Sequence, residues 1–490
     1  MNQPTAHRTV PDLLVARATG DPDAIALLVD GAGELSFGEW ELRSRRVANS
    51  LLAAGTATGD RIGLFFSGTD WSAYAVAYLG VLRTGATALH FNAGMHPGEI
   101  ARRTTLCSVQ AMLASAHSGL PPGWAGRVLP LESLEGGAET EPAVEVDADG
   151  ISDVLFTSGT TGQAKAYLVP HSNLTFGREP STLRDFQGTG HMLVPMTLGT
   201  STSATCVVAT LSAPAISVMC DSEDVERMAA LVQQHRIGTL AITPWIALNM
   251  VDARLHERYD LSSVQVVASG SSPLPPAIST TLLQMMPGAR VMSACSQSEA
   301  GPALIINVFD PARPLSIGRP SAATELRLVD GDGADVAVGT IGEIWLRHRA
   351  PRRRYLDPVL NAGIDADGFY RTGDYGRLDD DGNLYFVDRG EDLIIIDEAI
   401  VSSIEVEAAL YEHPGVREAA VVADGRGGMV ATLVLRSGAS AGDVVQFAGH
   451  RCGALPGPLR IELASALPRS QNGKVLKRVL REQLATAQSA

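Results

Sequence analysis

The stretch from Phe156 to Asn173 holds residue types suited to gripping an anion. It reads Phe-Thr-Ser-Gly-Thr-Thr-Gly-Gln-Ala-Lys-Ala-Tyr-Leu-Val-Pro-His-Ser-Asn, and the apolar run Val154-Leu155-Phe156 leads into it. Gly159 and Gly162 let the backbone come close to an anion with no Cβ in the way. Thr157, Ser158, Thr160 and Thr161 bring hydroxyls, and Lys165 brings a mobile positive charge. A strand ending in such a loop suits a polyphosphate; a Ser/Thr/Gly-rich surface linker would have the same composition. The string does not fit G-x-x-x-x-G-K-[ST], because Lys165 lies three residues beyond Gly162 and no hydroxyl follows it.

Further candidates lie along the rest of the chain, each with a plain alternative. Gly368-Phe369-Tyr370-Arg371-Thr372-Gly373-Asp374 contains a carboxylate that is also readable as part of a charged hairpin turn. Pro468-Arg469-Ser470-Gln471-Asn472-Gly473-Lys474 ends in a lysine that could equally be solvated at the start of a basic terminal helix. Between them stand Ser298-Glu299 and Asp388-Arg389-Gly390-Glu391-Asp392.

Taken together and in this order, the strings resemble those of the adenylate-forming superfamily, which comprises acyl-CoA synthetases, peptide-synthetase adenylation domains and luciferases. The first loop is similar to Ser/Thr-Ser-Gly-Ser/Thr-Thr-Gly-x-Pro-Lys-Gly, with Ala164 and Ala166 at the Pro and Gly places. Val266 to Leu274 resembles the segment that runs along adenine, which assigns Gly270 and Ser271 to the site. Cys295-Ser296-Gln297-Ser298-Glu299 resembles Tyr-Gly-x-Thr/Ser-Glu. Ser298 and Glu299 keep the phosphate and Mg²⁺ roles, whereas Cys295 and Ser296 remove an aromatic platform of about 1–3 kcal/mol, by analogy with base stacking. The resemblance makes Asp374 the ribose carboxylate, Arg389 a ribose and phosphate contact, Glu391 the hinge pivot and Lys474 the adenylation lysine.

For the acid substrate, the corresponding segment is Val194-Pro195-Met196-Thr197-Leu198-Gly199, with Thr243-Pro244-Trp245 downstream. Met196, Thr197, Gly199, Trp245 and Gly270 are the expected acyl pocket. No acidic residue lies in 194–203. An ammonium would need a countercharge there, since an unpaired buried cation is costly, so a non-amino acid with a neutral tail is expected.

The implied reaction joins a carboxylic acid to a thiol in two halves through an acyl-adenylate, with ATP, Mg²⁺ and coenzyme A as cofactors. Thr161, Glu299 and Lys474 are the expected catalytic residues. Asp397 and Glu398 stand where a glycine-containing loop normally admits the phosphopantetheine arm, and Ser403 where Pro is usual. Two further readings stay open: an enzyme keeping one half-reaction, with a companion adenylating enzyme or a carrier protein as partner, and a non-catalytic adenylate-binding protein.

The elements that must position these groups are strands and helices in alternation. Leu35–Ala54 has helical spacing behind Ser36, Arg61–Phe66 reads as a buried strand, and a second apolar helix runs from about Trp71 to Thr84. This is α/β patterning with parallel strands. Pro121–Gly150 reads as a surface loop, and Ser172 or Asn173 as a helix cap. At 490 residues the chain allows several units. The expectation is a large N-terminal domain of layered sheets and helices, 1–388, and a small mobile α+β C-terminal domain, 389–490. The net charge of −15 disfavours nucleic acid and anionic membrane. Five scattered cysteines without a C-x-x-C pair and the absence of a long apolar run predict a cytoplasmic protein with reduced thiols and no membrane span.

Overall fold

Residues 8–157, 164–178, 190–470 and 473–489 are described by a computed structural model. Among them the main-chain pairing builds two large sheets and two small ones. The first large sheet has 13 strands. Its central strands Ile25–Val29, Ser217–Met219, Met192–Val194, Thr239–Ile242, Val266–Ser269 and Arg290–Cys295 are parallel neighbours. Ile305–Val308 then reverses direction, and antiparallel strands follow out to Thr324–Val329. The second has seven strands and centres on Thr87–Phe91 and Arg61–Phe65.

The helix Trp71–Leu82 is apolar all round, WSAYAVAYLGVL, as a helix covered on all sides should be. Its Tyr74, Ala75, Val76, Ala77, Tyr78, Leu79, Val81 and Leu82 are fully buried. Gly80 lets the helix Phe37–Ala53 press against it, since a Cβ there would stand 2.5 Å from Val47 Cγ1. A buried polar chain crosses this core: Tyr74 Oη lies 2.8 Å from His90 Nδ1, His90 Nε2 lies 2.8 Å from Asp153 Oδ1, and Tyr78 Oη donates to Asp153 Oδ2 at 3.0 Å.

The sequence differs from the structure in two local features. Pro121–Gly150 contains the strand Arg127–Pro130, paired in parallel with Ala111–Ala114, and the helical turn Leu131–Leu134. Leu129, Leu131 and Leu134 are buried, so three apolar anchors order a segment too short to show periodicity. Ser172 and Asn173 do not cap the helix His171–Thr175, whose N-cap is Pro170. Ser172 instead donates to Asp149 Oδ1 at 2.7 Å.

Beyond Arg389 the chain forms the hairpin Ile394–Ile396/Ala399–Val401 and the sheet Val416–Ala423, Met429–Leu435, Leu459–Leu463. This C-terminal lobe has its own core around Leu410, Val421, Ala431 and Val444. Asp397 and Glu398 are the exposed two-residue turn of that hairpin, with φ of +47° and +67°, the handedness that a tight hairpin requires. Ser403 does what a proline could not: its backbone N–H donates to Asp388 Oδ2 at 2.9 Å and its hydroxyl to Asp388 Oδ1 at 3.0 Å. Among the described residues no helix is long and apolar enough to cross a membrane, and all five cysteines are free.

One helix of the large lobe, Pro244–Asp252, docks the small lobe. Trp245, Asn249 and Asp252 sit at i, i+4 and i+7, one face of the helix. The Arg417 and Arg469 guanidiniums lie 5.3 Å and 4.3 Å from the Trp245 ring centroid. Arg417 donates to Asn249 Oδ1 at 2.9 Å and to Asp252 Oδ2 at 2.6 Å, and Arg436 to Asp252 Oδ1 at 3.0 Å. These ion pairs are partly solvated, so their joint worth is about 1 kcal/mol, roughly five-fold in an equilibrium. Asp252→Ala is therefore expected to raise limited-proteolysis cleavage in the 388–393 connection by about five-fold; an unchanged cleavage rate would show that this face does not hold the lobes together.

Candidate functional site

Two cavities meet under the small lobe. The first, of about 280 Å³, is lined by Ser271, Ser272, Cys295, Asn307, Asp374 and Arg389, with Lys474 entering from the small lobe. The second, of about 710 Å³, is lined by Met196, Thr197, Trp245, Gly270, Ser298 and Arg353 among others. Trp245, Ser271, Ser296, Arg469 and Gly473 border both. Gly473 is needed at this crossing: its φ is +75°, and a Cβ would stand 2.7 Å from Trp245 Cβ.

Asp374 sits in the strand Tyr370–Leu378, held beside Leu384–Arg389 by antiparallel pairing that places Asp374 opposite Arg389. It is 9% exposed. Gln297 Nε2 donates to Asp374 Oδ2 at 2.6 Å and to the Thr372 carbonyl at 2.8 Å. Asp374 Oδ1 accepts no hydrogen bond, and the Arg389 Nε stands 3.5 Å away. Burial pushes this carboxyl upward; Arg389 opposes that most strongly, then Gln297 and Lys474. A buried carboxylate oxygen that accepts no hydrogen bond, on a cavity wall, suits a ligand hydroxyl.

Lys474 is drawn into the same space. Burial lowers its ammonium to about 8; Arg389 adds to the lowering, while Asp374 and Asp392 oppose it. Cys295 beside it is pushed up to about 12 by burial, so the thiol stays protonated. Phe309 and Phe386 also line this cavity.

The turn that carries Ser298 and Glu299 is clamped from behind. Arg353 donates to the Ser298 carbonyl at 2.7 Å and to Asn173 Oδ1 at 2.9 Å. Asn173 in turn donates to the Gly301 and Pro351 carbonyls, both at 2.8 Å. Glu299 Oε1 accepts from Tyr355 Oη at 2.7 Å. The Lys165 ammonium lies 6.0 Å from the Tyr355 ring centroid. Thr157 and Lys165 close the base of the anion loop, Thr157 N–H donating to the Lys165 carbonyl at 3.0 Å and Lys165 N–H to Thr157 Oγ1 at 3.2 Å. Ser158, Gly159, Thr160, Thr161 and Gly162 lie outside the described residues.

These positions match a known pattern. The model of AMP-binding enzymes matches residues 14–356, and that of the AMP-binding enzyme C-terminal domain residues 405–474. The chain belongs to the AMP-binding enzyme family. This AMP-binding enzyme is 30% identical to 4-coumarate–CoA ligase 5 of Oryza sativa subsp. japonica, over 98% of the chain and 95% of that relative. It is 26% identical to 4-coumarate-CoA ligase 1 of Narcissus pseudonarcissus, over 94% of the chain and 90% of the relative. The fold is that of the anthranilate CoA ligase AuaEII in complex with anthranoyl-AMP, with TM-score 0.88, 21% identity, and coverage of 99% of this chain and 98% of that one. The amide bond synthetase McbA from Marinactinospora thermotolerans is also similar, with TM-score 0.80, 23% identity, and coverage of 97% and 99%.

Of the residues expected from sequence, Asp374, Arg389, Lys474, Cys295, Ser271 and Ser296 converge on the smaller cavity, and Met196, Thr197, Trp245, Gly270 and Ser298 on the larger one. Gly199 is a correction. It does not line the acyl cavity; its φ is +78° and a Cβ would meet the Phe91 carbonyl oxygen at 2.2 Å, so it serves a tight backbone crossing. Glu391 lies exposed in the turn Gly390–Asp392. Gln297, Asn173, Arg353 and Tyr355 were missed as site residues. Gln297 had a signal, since it separates Ser296 from Ser298; Arg353 and Tyr355 sit in the run Arg352-Arg353-Arg354-Tyr355 with nothing local to mark them.

A hydrogen bond to a charged acceptor is worth about 1.5–3 kcal/mol. Gln297→Leu is expected to raise the ATP dissociation constant at least about ten-fold, read by calorimetric titration; an unchanged constant would remove Gln297 from the site.

Proposed function

We propose that this AMP-binding enzyme is an acyl-CoA ligase that activates a non-amino carboxylic acid as its adenylate and passes the acyl group to the CoA thiol. The observation that carries this reading is the buried Asp374 with the partly buried Arg389 and Lys474 around a cavity that opens onto a second, larger one. In this reading Asp374 Oδ1 receives the ribose hydroxyls of ATP, and Arg389 contacts ribose and phosphate. The loop 157–162 with Lys165 holds the polyphosphate. Glu299 fits a Mg²⁺ ion as the single protein carboxylate, because Mg²⁺ keeps waters and substrate phosphates as its other ligands; the ion would supply charge neutralisation at the phosphates.

The acid carboxylate, seated beyond Trp245 and Gly270, attacks the α-phosphorus. One P–O bond forms to the acid and one breaks as pyrophosphate leaves. Lys474 places its ammonium where charge develops between the acid oxygen and the α-phosphate. The small domain, 389–490, then turns about Glu391 relative to 1–388 and withdraws Lys474. The thiol sulfur attacks the acyl carbon, AMP departs with the bonding electrons, and the thiol proton goes to solvent. One site thus serves two chemistries by moving a lobe. Cytoplasmic residence follows from the cysteine usage in this reading, and no companion adenylating enzyme is needed.

The ammonium of Lys474 must be charged to serve the first half. Its folded value of about 8 means that the charged form is present below that pH and lost above it. Pyrophosphate release with ATP and acid is therefore expected to decline above pH 8 in kcat/KM for ATP. Thioester formation from a synthetic acyl-adenylate should lack that limb. Lys474→Ala is expected to cost about 10²–10³ in pyrophosphate release and to leave the second half within a few-fold. Equal loss in both halves would contradict the assigned role. Absence of pyrophosphate release in the wild type, with thioester formation intact, would leave an enzyme of the second half only.

A further inference from the structure

We propose that the acid accepted by the larger cavity carries a second, anionic oxygen on its tail, a carboxylate or an ionised ring hydroxyl, received by the guanidinium of Arg178. This deepens the acyl-CoA ligase reading and rests on it for the location of the acid.

Arg178 follows the helix His171–Thr175, and its backbone N–H donates to the Thr175 carbonyl at 2.9 Å. The side chain reaches the wall of the larger cavity. Its Nη1 is buried and has no hydrogen-bond partner, and no ion pair reaches Arg178 among the described residues. Buried guanidinium nitrogens are ordinarily satisfied, because an uncompensated buried charge is costly. Burial lowers this guanidinium to about 10, and the neighbouring Arg353 adds to the lowering.

Among the described residues, the neighbouring charges do not neutralise it. Arg353 is itself a cation, with its Nε engaged by Asn173 and its Nη1 by the Ser298 carbonyl. The one carboxylate among the described residues of the wall, Glu223, is exposed. Other polar wall groups, such as Thr200, Thr202 and Thr205, are neutral hydroxyls that can add hydrogen bonds to an oxyanion but no charge. An apolar tail would leave the cation unpaired, whereas an anionic oxygen supplies both the missing acceptor and the countercharge. An anionic tail departs from the neutral tail expected from the sequence: the absence of an acidic residue in 194–203 disfavours an ammonium, and a cation from another segment favours the opposite charge.

The test compares 4-carboxy-, 4-hydroxy- and 4-methyl-substituted benzoates and cinnamates on wild type, Arg178→Gln and Arg178→Lys. Pyrophosphate release gives kcat/KM, and calorimetry gives binding of each acid. The expected result for wild type is a preference of at least about ten-fold for an anionic over a methyl tail. Arg178→Gln should lower kcat/KM and affinity for the anionic acid about thirty-fold and leave the methyl acid within about three-fold, with partial rescue by Arg178→Lys. The carboxylate arm and the pH dependence of the hydroxyl arm separate the two sources of the oxyanion. Equal effects of Arg178→Gln on all three tails, or a wild-type preference for methyl, would overturn the inference while leaving the ligase reading intact. Binding of the anionic acids with the expected Arg178 dependence but no pyrophosphate release from any acid would instead overturn the ligase reading alone.

Discussion

The arrangement depends on one buried carboxylate. Asp374 is taken from water in the middle of the strand Tyr370–Leu378, with one oxygen satisfied by Gln297 and the other accepting no hydrogen bond among the described residues, 3.5 Å from Arg389 Nε. Such a group is tolerable only where cations stand close and a ligand completes it. Arg389 comes from the adjacent strand by antiparallel register, and Lys474 from the far end of the chain. The two cations also burden one another, which is part of why the lysine loses its proton more easily than a solvated one. The site is therefore an electrostatic balance rather than a set of independent contacts.

That balance makes the position of the small lobe consequential. Lys474 reaches the cavity because Trp245 is covered by Arg469 and Gly473, and because Asp252 ties Arg417 and Arg436 to the large lobe. Across the connection, Asp388 receives both donors of Ser403 and pairs with Lys477 at 3.6 Å; Lys477 also pairs with Glu407 at 2.8 Å. The connecting segment is thus anchored to the small lobe by a buried ion cluster, and the contacts with Asp252 are more solvated and easier to exchange. A lobe with rigid anchoring at its root and lighter contacts at its far side is suited to turning as a unit.

Much of this was legible in the chain. The buried apolar run and the helical patterns gave Phe37–Ala53, Arg61–Phe65 and Trp71–Leu82 close to their observed ends. Strings such as Arg371-Thr372-Gly373-Asp374 and Asn472-Gly473-Lys474 identified groups that a fold brings together across a hundred residues of sequence. What was not legible depends on long-range packing. Gly199 looked like part of an acyl pocket and is instead a crossing point against Phe91. Arg353 and Asn173 hold the Ser298–Gly301 turn through partners 180 and 128 residues apart. Arg178 carries no local mark of its burial; only the cavity reveals it.

The most direct measurement is pyrophosphate release with ATP compared with 2′,3′-dideoxy-ATP, in wild type and in Asp374→Ala. A site that offers a buried acceptor to a substrate hydroxyl rejects an analogue lacking it by orders of magnitude. Wild type is predicted to discriminate against the dideoxy nucleotide by at least about a hundred-fold in kcat/KM, and Asp374→Ala to use both nucleotides equally and poorly. Equal use of the two nucleotides by wild type would show that the open oxygen of Asp374 is not completed by ribose, and the account built on it would fail.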